Sequence, residues 1–403
     1  MNNITKSNAL VLQAGGPTAV INQTLVGVVL EARKYSQISK IYGAQHGIAG
    51  VIKQDFVDLT DYPIDKLELI AKTPSSALGS TRDKADNEYC KKMFDILKKH
   101  DIKYLFFIGG NDGASNCGII NTAAQAENYE LHVIHVPKTI DNDLLVTDHC
   151  PGFGSAAKFV ASAFIGVSLD IVAFGGVYVG VVMGRHAGWL TASSVLAKRR
   201  SEDGPHLIYL PERAFNEEQF IKDVQSVYDK YGYCVVAVSE GIHDGSGEAM
   251  AARLCKEKEY DPHGNVRLAG TGALGDLLVD LIKTKTNIKR VRADVFGFLQ
   301  RSFPGFVSEV DSKEAREVGV QAVKFAMSGD VDGSVVMKRT DDYNISYELV
   351  ELSQVANGTK PMPDEFIDGN NGVTQMFVDY VKPLVGELAV VERLEASRVE
   401  KII

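Results

Sequence analysis

Short apolar runs alternate with longer stretches of helical period along most of the chain. Residues 9–12 read as a buried strand. Residues 19–34 follow as a helix, with Val20, Leu25, Val28 and Val29 on one side. A second strand-like run at 104–108 leads into a helix at 114–126, and a third strand covers 131–136. Later strands are expected at 177–182, 206–210, 234–238 and 291–298, with helices at 186–199, 217–231, 268–285 and 309–327. This alternation predicts an α/β protein built on two doubly wound, mostly parallel sheets. The boundary between the two domains falls near Pro151 and Gly152. Residues 239–265, rich in Gly, His and charge, read as an exposed excursion, and the weaker pattern after about residue 341 places nothing.

The most apolar region runs from 159 to 184, but Asp170 interrupts it, and Gly175 and Gly176 come shortly after. A buried helix followed by a buried strand explains it better than a membrane span. The start, MNNITKSNALVLQAGG, lacks the charge-then-apolar pattern of a signal peptide. A soluble, cytoplasmic protein is expected. A length of 403 residues with 45% hydrophobic composition fills sizeable cores. The net charge of −9 removes any bulk attraction to nucleic acid or anionic membrane, so a phosphate-bearing ligand needs a local cluster of cations and N–H groups. Five cysteines, Cys90, Cys117, Cys150, Cys234 and Cys255, are scattered and odd in number, which suits small core residues in a reducing compartment.

In open α/β sheets ligands sit beyond the carboxyl ends of the strands, so the residues after each strand are the place to search. The first strand ends in Gly15-Gly16-Pro17, where paired glycines before a helix let N–H groups approach an anion. A plain tight turn is the bland alternative. The second ends in Gly109-Gly110-Asn111-Asp112, where Asp112 is either a helix N-cap or a group that excludes a ligand. The third ends in Lys138-Thr139-Ile140-Asp141-Asn142-Asp143, one ammonium and two carboxylates in six residues. Asp141 and Asp143 stand two apart, which in an extended loop puts both on one side. One suits a general base while the other holds a metal or orients the first.

Arg185, Arg82 and Arg301 begin or follow loops elsewhere, and arginine grips phosphate bidentately, although each alone is more often a surface ion-pair partner. Glu240 ends another strand, where it either accepts hydrogen bonds from sugar hydroxyls or merely closes a loop. His132 and His135 read as structural. GxxxxGK[ST] is absent, which excludes a P-loop kinase. Phosphoryl transfer to a small phosphorylated polyol fits the set.

From Leu10 to about Asp311 the sequence resembles the 6-phosphofructokinase family. The resemblance rests on Gly15-Gly16 with Asn22 in the following helix, Gly79 to Arg82, Gly109-Gly110, Thr139-Ile140-Asp141-Asn142-Asp143, Met183-Gly184-Arg185, Glu240 and Gln300-Arg301. It implies an active site in the cleft between the two domains. Residues 1–150 with about 305–345 would bind the donor, 151–304 would bind fructose 6-phosphate, and 346–403 remain unplaced. Asp141 would accept the proton of the sugar 1-hydroxyl, with Asp143 orienting it or holding metal. Thr139, Ile140, Met183, Gly184, Arg185, Glu240, Phe298, Gln300 and Arg301 would bind fructose 6-phosphate, and Arg292 would meet its phosphate, in some relatives from a neighbouring subunit. Gly15, Gly16, Arg82 and Gly110 would bind the donor. Magnesium would bridge donor oxygens, with Asn111 or Asp112 as its protein ligand. A homo-oligomer, dimer or tetramer, is implied.

Two positions bear on the donor. ATP-using members usually carry Gly where Asp112 and Lys138 stand. Asp112 would repel the α-phosphate of ATP, and Lys138 would stabilise charge on the transferring group. The pair resembles the pyrophosphate-dependent branch. The implied reaction is reversible transfer from pyrophosphate to fructose 6-phosphate. An ATP-dependent enzyme and a catalytically silent sugar-phosphate-binding subunit are the alternatives, the latter disfavoured by an intact Asp141. The chain departs from the family at Asn111, often a metal-associated Asp, at Phe298, a His in many bacterial ATP enzymes, and at Gly176, where those enzymes carry a subunit-bridging Arg.

Overall fold

Strand β1 (Ser7–Gln13) is apolar on both sides because it is covered on both sides. Ala9 and Val11 face a core shared with helices Ile21–Ala32 and Glu309–Met327. Leu10 and Leu12 face another, filled by Phe94 of helix Asn87–Lys99 and Cys117 and Ile120 of helix Asn111–Ala126. Such two-sided burial is the mark of a central parallel strand. In the computed structural model, which describes residues 6–247, 249–251, 272–329, 331–341, 343–356, 358–394, 396–397 and 399–402, β1 lies within a seven-stranded sheet.

That sheet also contains β2 (Ile38–Ala44), β3 (Phe56–Asp58), β4 (Ile102–Gly109), β5 (His132–Pro137), β10 (Gly333–Thr340) and β11 (Asn344–Val350), in the order β11-β10-β5-β4-β1-β2-β3. β1 pairs in parallel with β2 and β4, β4 with β5, and β5 with β10. Only the outermost strands, β3 and β11, run antiparallel to their neighbours. A second, four-stranded sheet is wholly parallel, with β6 (Gly176–Val182), β7 (Leu207–Tyr209), β8 (Tyr233–Ser239) and β9 (Val291–Val295) in the order β7-β8-β6-β9. A two-stranded ribbon joins β12 (Ile367–Asp368) to β13 (Gly372–Val373).

The chain passes from the first sheet to the second through helix Phe153–Phe174. By length and composition this helix matches a membrane span, but Phe153, Val160 and Phe164 pack in a core with Tyr178 and Val182 of β6 and Phe377 and Val381 of helix Gln375–Val385. Its first turn is held by Asp311, which accepts hydrogen bonds from the N–H groups of Gly152 and Ser155 at 2.8 and 2.9 Å. Helix Glu309–Met327 thereby fixes the crossing and also covers the first sheet. It meets helix Ile21–Ala32 glycine to backbone: a Cβ on Gly319 would lie 2.3 Å from the Thr24 carbonyl oxygen, and one on Gly27 2.3 Å from that of Arg316.

Most expected elements are present within about three residues at either end, and three differ more. Residues 186–199 are not one helix but a turn of α-helix, Trp189–Ala192, running into the 3₁₀ helix Ser193–Ala197. The hydroxyls of Ser193 and Ser194 donate to carbonyls three residues back, which competes with the longer-range α pattern. The strand expected at 291–298 ends at Val295, before Gly297 takes a left-handed conformation and Leu299–Ser302 turns into a helix. The helix expected from 268 is described from Ala273 to Lys285, and residues 268–271 lie outside the described residues, as do Cys255 and most of the excursion at 239–265. The other four cysteines are buried and free.

Gly319→Ala tests the helix crossing. A methyl group there must push the two backbones apart, and a loss of about 1–3 kcal/mol is expected. A fall in the urea unfolding midpoint is the readout.

Candidate active site

Because β5, β4 and β1 are neighbours and parallel, their carboxyl ends open at one edge, and the loops after them meet. The carboxyl ends of β6 and β8, with the turn after β9, meet the same space from the second sheet. Together they line one cleft of about 470 Å³. Gly15, Gly16, Arg82, Gly110, Asn111, Asp112, Lys138, Thr139, Ile140, Asp141, Asp143, Met183, Arg185, Glu240, Phe298 and Arg301, all singled out in the sequence, line it.

On one side stand the cations. The Lys138 ammonium donates to the Gly16 carbonyl at 2.9 Å and is only 3% exposed. Gly15 is left-handed (φ 75°), and a Cβ there would sit 3.2 Å from the Lys138 nitrogen. A Cβ on Gly16 would lie 3.3 Å from the Arg301 guanidinium carbon. The two glycines thus let two cations close on the loop backbone. Segment 79–82 is drawn in by Ser80, whose hydroxyl donates to the Gly15 carbonyl at 2.6 Å. Burial, with Arg301 close by, pushes the Lys138 ammonium down to about 8.

Opposite lies the turn after β5. The Asp141 N–H donates to the Thr139 hydroxyl oxygen at 3.1 Å, and the Asn111 amide donates to Asp143 at 2.7 Å. Asn142 between the two carboxylates is left-handed (φ 55°), and both aspartates face the cleft. Burial pushes the Asp141 carboxyl up, opposed first by Arg301 and then by Lys138. Asp143 is pushed up to about 7 by burial and then by Asp141, and Glu240 to about 7 for the same two reasons. Three proton-hungry carboxylates beside buried cations suit both proton transfer and the holding of an anion. Asp112 is not an N-cap. Gly110 occupies that position, and Asp112 sits in the first turn of helix Asn111–Ala126, facing the cleft.

No cluster of three His, Cys, Asp or Glu side chains arranged for a metal occurs among the described residues. The Asn111 side-chain oxygen, however, is buried with no hydrogen-bond partner among them. An orphaned oxygen at the cleft fits a cation such as magnesium, which takes one or two protein oxygens and the rest from phosphates and water. His135 is structural, as expected: it sits between the Ser334 hydroxyl at 2.7 Å and the Gly109 carbonyl at 3.0 Å.

A family model described as Phosphofructokinase matches residues 8–326. The chain belongs to the phosphofructokinase family. It is 55% identical over 400 residues to a pyrophosphate--fructose 6-phosphate 1-phosphotransferase of Rhodospirillum rubrum, covering 99% of each chain. It is 26% identical to an ATP-dependent 6-phosphofructokinase of Amycolatopsis methanolica, covering 84% of this chain and 73% of the other. The crystal structure of a pyrophosphate-dependent phosphofructokinase from Nitrosospira multiformis superposes with a TM-score of 0.84 at 34% identity, covering 96% of this chain and 94% of that one.

In this phosphofructokinase-family chain three of the expected substrate residues stand outside the cleft lining. Gln300 is 1% exposed and acts as a strut, accepting from the Met183 N–H at 3.2 Å and donating to the Gly297 carbonyl at 2.9 Å. Gly184, at φ 137°, shapes the loop, and its carbonyl accepts from the Ser239 hydroxyl at 2.5 Å. Arg292 is exposed on β9, an edge strand, and donates to the Val291 carbonyl. Phe298 is 68% exposed but supports Arg301, whose guanidinium lies 4.6 Å from its ring centre. The cleft also takes in Asp83, Asn116, His186 and Thr359, to which sequence reasoning gave no role. His186 adjoins Arg185 and was within reach of a motif reading. Thr359 was not, because no spacing relates it to the strand ends.

Lys138 is a cation below its lowered value of about 8 and neutral above it. With pyrophosphate as the probe anion, the association constant is expected to fall by about tenfold between pH 7 and pH 9 relative to the Lys138→Met variant. Calorimetric titration of both proteins across that range is the check, and parallel profiles would refute it.

Proposed function

We propose that this protein transfers a phosphoryl group reversibly from pyrophosphate to the 1-hydroxyl of fructose 6-phosphate, giving fructose 1,6-bisphosphate and phosphate. One observation carries the choice of donor: Lys138 and Asp112 line the same cleft as the Gly15–Gly16 loop and Asp141. The Rhodospirillum relative, alike along nearly its whole length, bears the name of this activity. An ATP-dependent reaction is disfavoured by the carboxylate of Asp112, which pyrophosphate tolerates because it has no third phosphate to place there.

The roles follow from position. Asp141 takes the proton from the sugar hydroxyl as oxygen attacks phosphorus. Its raised proton affinity makes it a stronger base than an exposed carboxylate, and Arg301 and Lys138 oppose that rise. Lys138, already in place against Gly16, stabilises charge on the transferring group and on the leaving phosphate without reorganising. Arg82 and Gly110 complete the donor side. Thr139, Ile140, Met183, Arg185, Glu240 and Arg301 orient the sugar phosphate. Asp143, tied to Asn111, orients the loop.

The cleft counters Arg82, Lys138, Arg185 and Arg301 with Asp83, Asp112, Asp141, Asp143 and Glu240. It therefore holds no surplus positive charge for a tetra-anion. This supports magnesium entering with the donor, held by the Asn111 oxygen or Asp112. Magnesium held there would supply charge neutralisation for the donor's phosphates. We assign residues 1–150 with about 305–345 to the donor lobe and 151–304 to the sugar-phosphate lobe. A homo-oligomer, dimer or tetramer, working in the cytoplasm completes the reading, in which Arg292 would meet a neighbouring subunit's substrate; its exposure on an edge strand supports this.

Asp141→Asn is expected to lower kcat by roughly 10² to 10⁴ with little change in binding of fructose 6-phosphate. Near-normal kcat in that variant would assign the base elsewhere. The donor residues separate by their physics. Asp112→Gly should improve ATP binding, since it only removes a repulsion. Lys138→Met should lower kcat with pyrophosphate by about 10² or more. Steady-state kinetics with both donors decide, and unchanged donor preference in both variants would refute the assignment of pyrophosphate.

A further inference from the structure

The turn that carries Asp141 and Asp143 is held in a shape its own sequence disfavours. Asn142 (φ 55°) and Val146 (φ 68°) are both left-handed, and a β-branched residue such as Val rarely adopts that backbone. Something outside the turn must hold it. We propose that residues 359–362, together with Tyr380, form a positioning brace for phosphoryl transfer, with Lys360 as its central residue. These residues lie beyond residue 326, where the match to the family model ends.

Lys360 holds the turn at two points. Its N–H donates to the Asp143 carbonyl at 2.8 Å, and its ammonium donates to the carbonyls of Thr147 and Asp148 at 3.0 and 2.6 Å. The third direction of the ammonium faces the Trp189 ring, 4.8 Å from its centre. Trp189 answers by donating its indole N–H to the Lys360 carbonyl at 3.2 Å. Tyr380 grips the left-handed residue itself: its hydroxyl accepts from the Asn142 amide at 2.9 Å and donates to the Asp148 carbonyl at 3.0 Å. The far end of the brace reaches the second sheet. One oxygen of Glu212 accepts from the Met362 N–H at 3.0 Å and from the Gly188 N–H at 2.8 Å, in the loop that carries Met183 and Arg185. Thr359 meanwhile faces the cleft. The brace thus spans the distance between the base and the sugar-phosphate loop, and Lys360 acts through Asp143, not on the substrate.

A methionine at 360 fills the same space but removes the ammonium from the Thr147 carbonyl and leaves the Asp148 carbonyl to Tyr380 alone. Errors of about an ångström in the placing of a reacting group cost up to about 10²-fold in rate. In the full-length protein, Lys360→Met is expected to lower kcat with pyrophosphate and fructose 6-phosphate by about ten- to a hundredfold, with both KM values within about threefold of the parent. Lys360→Arg, which keeps the cationic donor, is expected to recover most of the loss. Tyr380→Phe, which keeps the ring, is expected to lower kcat in the same pattern by a smaller factor. A kcat within twofold of the parent for Lys360→Met overturns the proposal. So does a loss that tracks the folded fraction and is no smaller for Lys360→Arg. If Lys360→Met fails to fold, Tyr380→Phe decides, and parental kcat there overturns the brace. The inference rests on the proposed reaction: a parent protein without pyrophosphate-dependent turnover refutes that reaction, whereas unaltered kcat in the variants of an active parent refutes only the brace.

Discussion

The buried hydrogen bond from the Lys138 ammonium to the Gly16 carbonyl is the contact on which the site depends. It ties the loop after β5 to the loop after β1, across β4, and puts a positive charge where water is excluded. A buried ammonium is costly unless its donors are satisfied and a counter-charge is near. Here one donor meets a carbonyl, and Asp141 and Asp112 supply opposing charge. The glycines at 15 and 16 are a consequence, since side chains there would crowd Lys138 and Arg301. The neighbouring aspartate turn brings Asp141 near enough to oppose that cost.

Burial sets the chemistry in opposite senses on the two sides of the cleft. It weakens the hold of Lys138 on its proton and strengthens that of Asp141, Asp143 and Glu240 on theirs. The proton affinities of the two sides are thereby brought closer together, which suits proton transfer between them and substrate. An incoming polyphosphate raises the proton affinity of every neighbour, so the ammonium is most firmly charged when a donor is present. The same reasoning explains Asn111. A neutral amide donates to Asp143 on one side and offers an oxygen to the cleft on the other, which a carboxylate at that position would not do.

Around this centre the packing is conservative. One helix, Glu309–Met327, covers the first sheet, anchors the crossing to the second through Asp311, and lies against helix Ile21–Ala32 at paired glycines. Because both sheets are mostly parallel with helices on their faces, few elements link them: this helix, helix Phe153–Phe174 and the C-terminal segment that reaches both.

The sequence by itself determined strands β1 and β4 to β9, the loops that follow them and the residues those loops carry. Buried parallel strands are continuous apolar runs, and the loop chemistry sits at their ends, so Gly15, Asp112, Lys138, Asp141, Arg185 and Glu240 were legible from local pattern. The family resemblance added the roles. Tertiary structure decided what local pattern cannot encode. Gln300 and Gly184 read as substrate contacts by motif, and the fold adds what no motif states, that Gln300 is a buried strut and that the Gly184 carbonyl is held by Ser239, because such partners come from other strands. The end of the strand at 295 and the breaking of the helix at 186–199 followed from turn and hydroxyl geometry that periodicity ignores. Least legible was the segment beyond residue 341. Thr359, Lys360 and Tyr380 come to the aspartate turn from more than 200 residues away in sequence, held there by carbonyls, an amide and an aromatic ring. Such partners leave no spacing in the chain, since a backbone carbonyl is offered by every residue and only the fold chooses which one is met.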